Sequence, residues 1–149
     1  MSPAFPRPVA DFTATIPHRP PFVWIDEVVS VSEGGGIAAV TLRADALFMS
    51  RDGIRRSSLL EFMAQGFAYV RAAQAAAGFL PDRPAPKKAF LVSIQDAHYE
   101  TNLPGPMAGE RLTIEILGAR EVGPITIFTA KVSAPAGLLV QARLKVFSE

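Results

Sequence analysis

Three groups of side chains in this 149-residue sequence have types and spacing that chemistry could use. Glu61 and Gln65 lie four residues apart in an alanine-rich apolar stretch, so on a helix they share one face. A carboxyl held against an apolar helix face has its charged form disfavoured. Its pKa rises toward neutrality, which suits a general acid or base. The plainer reading is a capping box, because Ser58-Leu59-Leu60-Glu61 places Glu three residues after a Ser, and spacing alone favours it. His18 and His98 are natural proton carriers near neutral pH, although a lone histidine is more often a hydrogen-bonded structural residue. Neither sits in His-x-x-x-His or Glu-x-x-His spacing, so no metal site is expected. Arg51, Arg55 and Arg56 cluster just before the helix. Guanidinium groups beside outward-pointing helix amides would attract phosphate, while a solvated loop with three charges is the commoner outcome. No nucleophile elbow, phosphate-binding glycine loop or dinucleotide fingerprint is present.

These residues need elements to position them. Phe22 to Ser32 is rich in β-branched and aromatic residues and reads as a strand, closed by a turn at Gly34-Gly35-Gly36. Ile37 to Arg43 resumes the alternation and completes a hairpin. Residues 46–56 carry no clear period, and Asp52-Gly53 marks a turn. A helix is expected from about Ser57 to Ala77, stopped by Gly78. Its apolar positions Leu60, Met63, Phe67 and Val70 recur at three- and four-residue steps, with alanine filling much of the rest. So many small side chains let neighbouring backbone come close, which fits a buried central helix.

After the loop Pro81 to Pro86, the chain is strand-like to its end. Ala89 to Glu100 comes first. Leu112, Ile114 and Ile116 then alternate with polar neighbours, Ile125 to Val132 follows, and Val140, Ala142, Leu144 and Val146 alternate again. Segregated strands and one long helix make an α+β fold, and an antiparallel sheet must bury one face. The helix is the available cover, so a curved sheet wrapped around it is expected. The length suits a single domain over residues 1–149, with residues 1–16 as an extended, proline-bearing arm.

Composition sets further bounds. Apolar residues make up 49% of the chain and charged ones 19%, enough for a real core. Fifteen basic and fourteen acidic side chains leave a formal charge of +1, which argues against bulk nucleic-acid binding. With no cysteine, disulfides, thiolate zinc sites and cysteine nucleophiles are excluded. The longest weakly polar stretch, Phe62 to Leu80, is broken by Gln65, Arg71 and Gln74, so no membrane span is expected. The N-terminus lacks signal-peptide order, and a cytoplasmic location is the default expectation.

Three blocks then carry a resemblance. Pro17-His18-Arg19-Pro20-Pro21-Phe22, running on to Asp26, resembles the opening of bacterial 3-hydroxyacyl-acyl-carrier-protein dehydratases. Leu59-Leu60-Glu61-Phe62-Met63-Ala64-Gln65 is similar to that family's helix motif, in which Glu-x-Met-Ala-Gln carries the catalytic acid. Ile94-Gln95-Asp96-Ala97-His98-Tyr99, followed by a Pro-Gly loop and Gly109-Glu110-Arg111-Leu112, resembles its third block. The blocks fall in family order from about His18 to Leu112. The resemblance implies a hotdog fold, a dimer joined along edge strands with active sites at the subunit interface, and no dissociable cofactor. The implied reaction is loss of water from a 3-hydroxyacyl thioester on the phosphopantetheine arm of an acyl carrier protein.

One departure shapes the functional expectation. The family's Gly-His-Phe-Pro-Gly block is replaced by Ala46-Leu47-Phe48-Met49-Ser50-Arg51-Asp52-Gly53, which has no histidine, and its Pro-Gly at the helix start is Arg55-Arg56. A divergent branch resembling aryl-polyene cluster dehydratases matches better, including the spacing from Gly53 to the Glu-x-Met-Ala-Gln motif. By this resemblance Glu61 is the catalytic acid. The base is expected to be a histidine, for which this chain offers only His18 and His98. His18 is the candidate because it stands at a family motif position, though one the family does not normally use in the chemistry. Gln65, which would also orient Glu61, Arg55, Arg56 and Phe48 are the expected substrate contacts. The expected partners are an acyl carrier protein and a second hotdog chain, in a homodimer or heterodimer. The competing expectations are a catalytically incomplete subunit that pairs with a histidine-bearing partner, a thioester hydrolase, and an acyl-binding module.

Overall fold

The helix is tied to the chain around it at two fully buried glutamine side chains, Gln65 and Gln74. The structure, a computed structural model, describes residues 4–16, 22–51, 53–81, 89–103 and 105–149. Its elements in order are β1 (Arg7–Pro8), a 3-10 helix (Val9–Thr15), β2 (Glu27–Ser32), β3 (Gly35–Thr41), β4 (Met49–Ser50) and β5 (Gly53–Ile54). The helix α1 (Arg56–Ala76) follows, then β6 (Ala89–Tyr99), β7 (Arg111–Val122), β8 (Ile125–Ala134) and β9 (Gly137–Ser148). Seven strands form one antiparallel sheet in the order β1-β2-β3-β7-β8-β9-β6, and β4 and β5 form a separate small hairpin. This is the expected α+β arrangement, a sheet curved about one long helix.

The alternating strands face as their patterns predict. Leu112, Ile114 and Ile116 are buried, as are Phe128, Ala130 and Val132 on β8 and Val140, Ala142, Leu144 and Val146 on β9. The register places Ile114, Val132 and Val140 in one row across the sheet, on the face that α1 covers. Phe67 of the helix stacks on Phe128, with ring centroids 4.1 Å apart and planes 4° from parallel. One helix stripe is only part-covered: Leu60, Glu61, Ala64, Ala68 and Ala72 recur at helical spacing and are neither buried nor fully exposed. The helix is therefore central without being enclosed on every side.

Other expectations need adjustment. Residues 23–26 are not in a strand, because Gln65 takes the backbone groups of Phe22 and Trp24 that a ladder would use. The β2–β3 turn is Glu33-Gly34, and Gly35 and Gly36 belong to β3. Among the described residues of the N-terminal arm, Arg7–Pro8 form a short strand that pairs with β2. Val9–Thr15 wind into a 3-10 helix because Phe12 and the following Ile16 are buried in the core. The Asp52 half of the expected Asp52-Gly53 turn and most of the Pro81–Pro86 loop lie outside the described residues. At its C-terminus α1 closes with Gly78 N–H donating to Ala75 O and Phe79 N–H donating to Gln74 O. That pairing is a Schellman motif, as the Gly78 stop signal predicts.

Two glycines set how closely the layers meet. A Cβ on Gly66 of α1 would stand 2.6 Å from Ile114 Cγ2, and one on Gly35 would stand 1.8 Å from the Ile116 carbonyl oxygen. The first clash is with a stiff core side chain and the second with ladder backbone. Gly66→Ala is expected to destabilise the fold by about 1–3 kcal/mol through overpacking, partly offset by the better helix propensity of alanine. Gly35→Ala is expected to cost more, since β3 must separate from β7. Urea midpoints check the order, and a Gly35→Ala protein as stable as wild type would refute it.

Candidate active site

Glu61 stands on the part-covered stripe of α1, near the helix N-terminus. The local sequence does not make it a cap. The N-cap residue is Arg55, with no side-chain capping bond, so Ser58 occupies N3 and Glu61 lies a further turn in. The capping-box reading is thus corrected: the Ser-x-x-Glu spacing is present but sits three residues too late in the helix. A carboxyl at this position cannot be explained by reaching back to the N-cap amide.

Gln65, one turn on, holds Glu61 directly. Gln65 Nε2 donates to Glu61 Oε1 at 3.1 Å and to the Phe22 carbonyl at 2.8 Å, while Trp24 N–H donates to Gln65 Oε1 at 2.9 Å. The two backbone groups decide which end of the amide is oxygen, because a donor must face Oε1 and an acceptor must face Nε2. Both amide hydrogens are then committed, one of them to Glu61. Gln65 therefore acts on Glu61 and has no N–H left for a substrate, which separates it from the expected substrate contacts. Its partners Phe22 and Trp24 are 43 and 41 residues away in sequence. No spacing rule could find that pairing.

The β4–β5 hairpin leads into the start of α1. Gly53 has φ +105°, and a Cβ there would meet the Pro106 carbonyl at 2.9 Å, so glycine is required for both conformation and clearance. Ser50 Oγ donates to the Gly53 carbonyl at 2.8 Å, and Arg55 N–H donates to the Phe48 carbonyl at 3.2 Å. Phe48 itself is buried in an aromatic cluster with Trp24 and Phe62, at centroid distances of 5.0 and 4.8 Å. The residue is 3% exposed, so it offers an apolar wall and little surface. Arg51, Arg55 and Arg56 are exposed. The Arg56 guanidinium lies 5.8 Å from the Tyr99 ring centroid, which brings the helix N-terminus beside β6.

The two histidines fare differently. His18 lies outside the described residues. His98 pairs with Gln141, whereas Tyr99 pairs with Val140 of the helix-facing row. His98 thus belongs to the outer face, opposite Glu61. A bulge causes this: the register skips between Gln95 and His98, with Asp96 at φ +54°. Plain alternation from Ile94 would have put His98 on the helix side. Among the described residues no group of three or more histidine and acidic side chains gathers as a metal site, and no helix is long and apolar enough to cross a membrane.

Comparison with known proteins places this geometry. A sequence family described as ApeP-like, ApeP dehydratase, matches residues 10–149. A search of curated sequences finds no significant match. Among solved structures, a chain of the dehydratase heterocomplex ApeI:P from Xenorhabdus doucetiae is similar at TM-score 0.77 and 20% identity, covering 96% of this chain and 91% of that one. The PaaI protein from the phenylacetic acid degradation operon of E. coli is similar at TM-score 0.57 and 18% identity, over 80% of each chain. A hypothetical thioesterase with coenzyme A from Streptococcus pneumoniae TIGR4 reaches TM-score 0.62 at 9% identity, over 95% of this chain and 96% of that one. At such identities these structures speak to fold, which is the hotdog fold. The family match spans nearly the whole sequence, and the chain belongs to the ApeP-like dehydratase family.

Proposed function

We propose that this chain carries the acid of a dehydratase acting on 3-hydroxyacyl thioesters borne by an acyl carrier protein, in fatty-acid or polyene-type biosynthesis. It works paired with a second hotdog subunit that supplies the base. The observation that carries this reading is the fixed Glu61–Gln65 pair. Because Gln65 Nε2–H must meet an acceptor at Oε1, a proton carried by Glu61 resides on Oε2. In the reaction a base removes the α-proton while Glu61 gives its proton to the departing 3-hydroxyl. The C–O bond breaks, water leaves, and the trans-2-enoyl thioester remains. Exposed Arg55 and Arg56 offer charge to the carrier's phosphopantetheine phosphate.

Pairing is supported by the edge of the sheet. β6 is its long terminal strand, and among the described residues nothing pairs with its outer side. Phe90 and Val92 are 54% and 55% exposed, a hydrophobic edge of the kind that soluble proteins cover. The Arg56–Tyr99 contact draws the start of α1 toward this edge. Glu61, five residues further on, follows within about 8 Å along the helix axis. A subunit joined at β6 would therefore arrive on the Glu61 side. The similarity to a chain from a heterocomplex favours two different subunits. His18, within the block Pro17-His18-Arg19-Pro20-Pro21-Phe22, is the second candidate for the base.

Glu61→Gln is expected to lower kcat/KM for enoyl thioester formation by about 10²–10⁴-fold with an unchanged urea midpoint, since the new amide oxygen still accepts from Gln65. Full activity in that variant would eliminate the mechanism, and release of free acid by wild type would instead identify a hydrolase. The base is located by comparing preparations. Wild type is expected to be inactive alone and active with a histidine-bearing hotdog partner, whereas activity alone that His18→Asn removes would assign the base to this chain.

For the interface, light scattering is expected to report more than the 16.0 kDa monomer mass. Phe90→Asp with Val92→Asp should return the particle to that mass. A wild-type chain that stays at monomer mass with and without partner would contradict the pairing.

A further inference from the structure

Ser58 is 7% exposed, and its two polar groups have different fates. Its backbone N–H donates to the Arg55 carbonyl at 3.0 Å. Its hydroxyl makes no hydrogen bond among the described residues. Native interiors pair the great majority of buried polar groups, so this hydroxyl has a bond to spare. Its oxygen is not one of the unpartnered side-chain atoms sealed from solvent, which sets it apart from Trp24 Nε1.

Position gives that hydroxyl a direction. Ser58 precedes Glu61 by three residues and Gln65 by seven, so the three share one face of α1. On the helix it falls between Glu61 on the part-covered stripe and Phe62 on the buried flank. Residues three apart on a helix have Cβ atoms about 5–6 Å from each other. Helical side chains lean toward the N-terminus, which here carries no side-chain cap and no acidic residue in its first turn. The positive end of the helix dipole acts on the same spot, with no carboxylate in that turn to offset it.

The groups of the proposed substrate come in matching order. Its phosphate falls to Arg55 and Arg56 and its 3-hydroxyl to Glu61. The thioester carbonyl lies between them, separated from the hydroxyl-bearing carbon by the α-carbon alone. We propose that Ser58 is a further catalytic residue of this site, its Oγ–H donating to the thioester carbonyl oxygen. This assignment rests on the dehydratase reading. As the base takes the α-proton, the electron pair shifts toward that oxygen, where Ser58 and the helix dipole hold the developing charge. The pair then closes the double bond between the α- and β-carbons as Glu61 protonates the departing hydroxyl and water leaves. Ser58 itself gives up no proton.

trans-Cinnamoyl phosphopantetheine is an enoyl thioester that absorbs to the red of the protein. A hydrogen bond to its carbonyl moves that absorption further red. Wild type, in whichever assembly turns over, is expected to show this red shift on binding. Ser58→Ala is expected to bind the same thioester and lose most of the shift. With a 3-hydroxyacyl phosphopantetheine thioester, Ser58→Ala is expected to lower kcat by about 10²-fold, the cost of removing one such donor, with KM little changed. Its urea midpoint should be no lower than that of wild type, because alanine suits a helix better than serine. No red shift in wild type, or an equal shift in Ser58→Ala, would overturn the role of Ser58, as would an unchanged kcat. Each of these leaves the dehydratase reading standing if wild type forms the enoyl product. A wild type that forms no enoyl product in any assembly would overturn both.

Discussion

A buried amide is the constraint on which the rest of this structure depends. Gln65 is wholly enclosed, and burying its polar atoms is tolerable only because each meets a partner. Those partners are the backbone of Phe22 and Trp24 and the carboxyl of Glu61. Leaving one such backbone group unpaired would cost about 1–3 kcal/mol, a sizeable share of the roughly 5–15 kcal/mol that holds a typical domain together. The same three bonds join the approach to β2, the central helix and the candidate acid into one rigid unit. The fold and the proposed acid therefore draw on one side chain.

A second glutamine repeats the device at the other end of β2. Gln74 Nε2 donates to the Ser32 carbonyl at 2.8 Å and lies within 3.3 Å of the Glu33 and Gly35 carbonyls, capturing the β2–β3 turn. Arg71 donates to Gln74 Oε1 and pairs with Glu121 of β7 at 2.8 Å. Between these fixed points the helix settles onto β7 through Gly66. The stripe with Glu61, Ala64, Ala68 and Ala72 is left part-covered because the sheet packs on the opposite flank. Glu61 thus sits where another chain can reach it.

Much of this was legible from the residues. Strict alternation in β7 and β9 showed their buried faces because each strand has one wet and one dry side. The helix declared itself by three- and four-residue steps and a glycine stop. What stayed hidden depended on contacts distant in sequence or on a local break of period. Phe22 to Asp26 has strand-like composition, yet a side chain some forty residues away claims its hydrogen bonds. The Ser58–Glu61 spacing mimics a cap because a two-residue hairpin starts the helix early, at Arg56. At His98 one bulge reverses which face the side chain takes, and nothing in Gln95-Asp96-Ala97-His98 announces it. The Glu-x-Met-Ala-Gln resemblance singled out Glu61 and Gln65, and the fold adds that Gln65 Nε2–H donates to Glu61 Oε1.

The central claim is that Gln65 contributes to dehydration through Glu61 and by no other route. A double-mutant cycle on kcat/KM with Glu61→Gln and Gln65→Leu tests it, in whichever assembly turns over and with folding of each variant checked by its urea midpoint. Gln65→Leu alone should slow the wild-type reaction sharply, while adding it to Glu61→Gln should slow the reaction no further. Penalties that multiply in the double variant would show that the two residues act independently and would contradict the account.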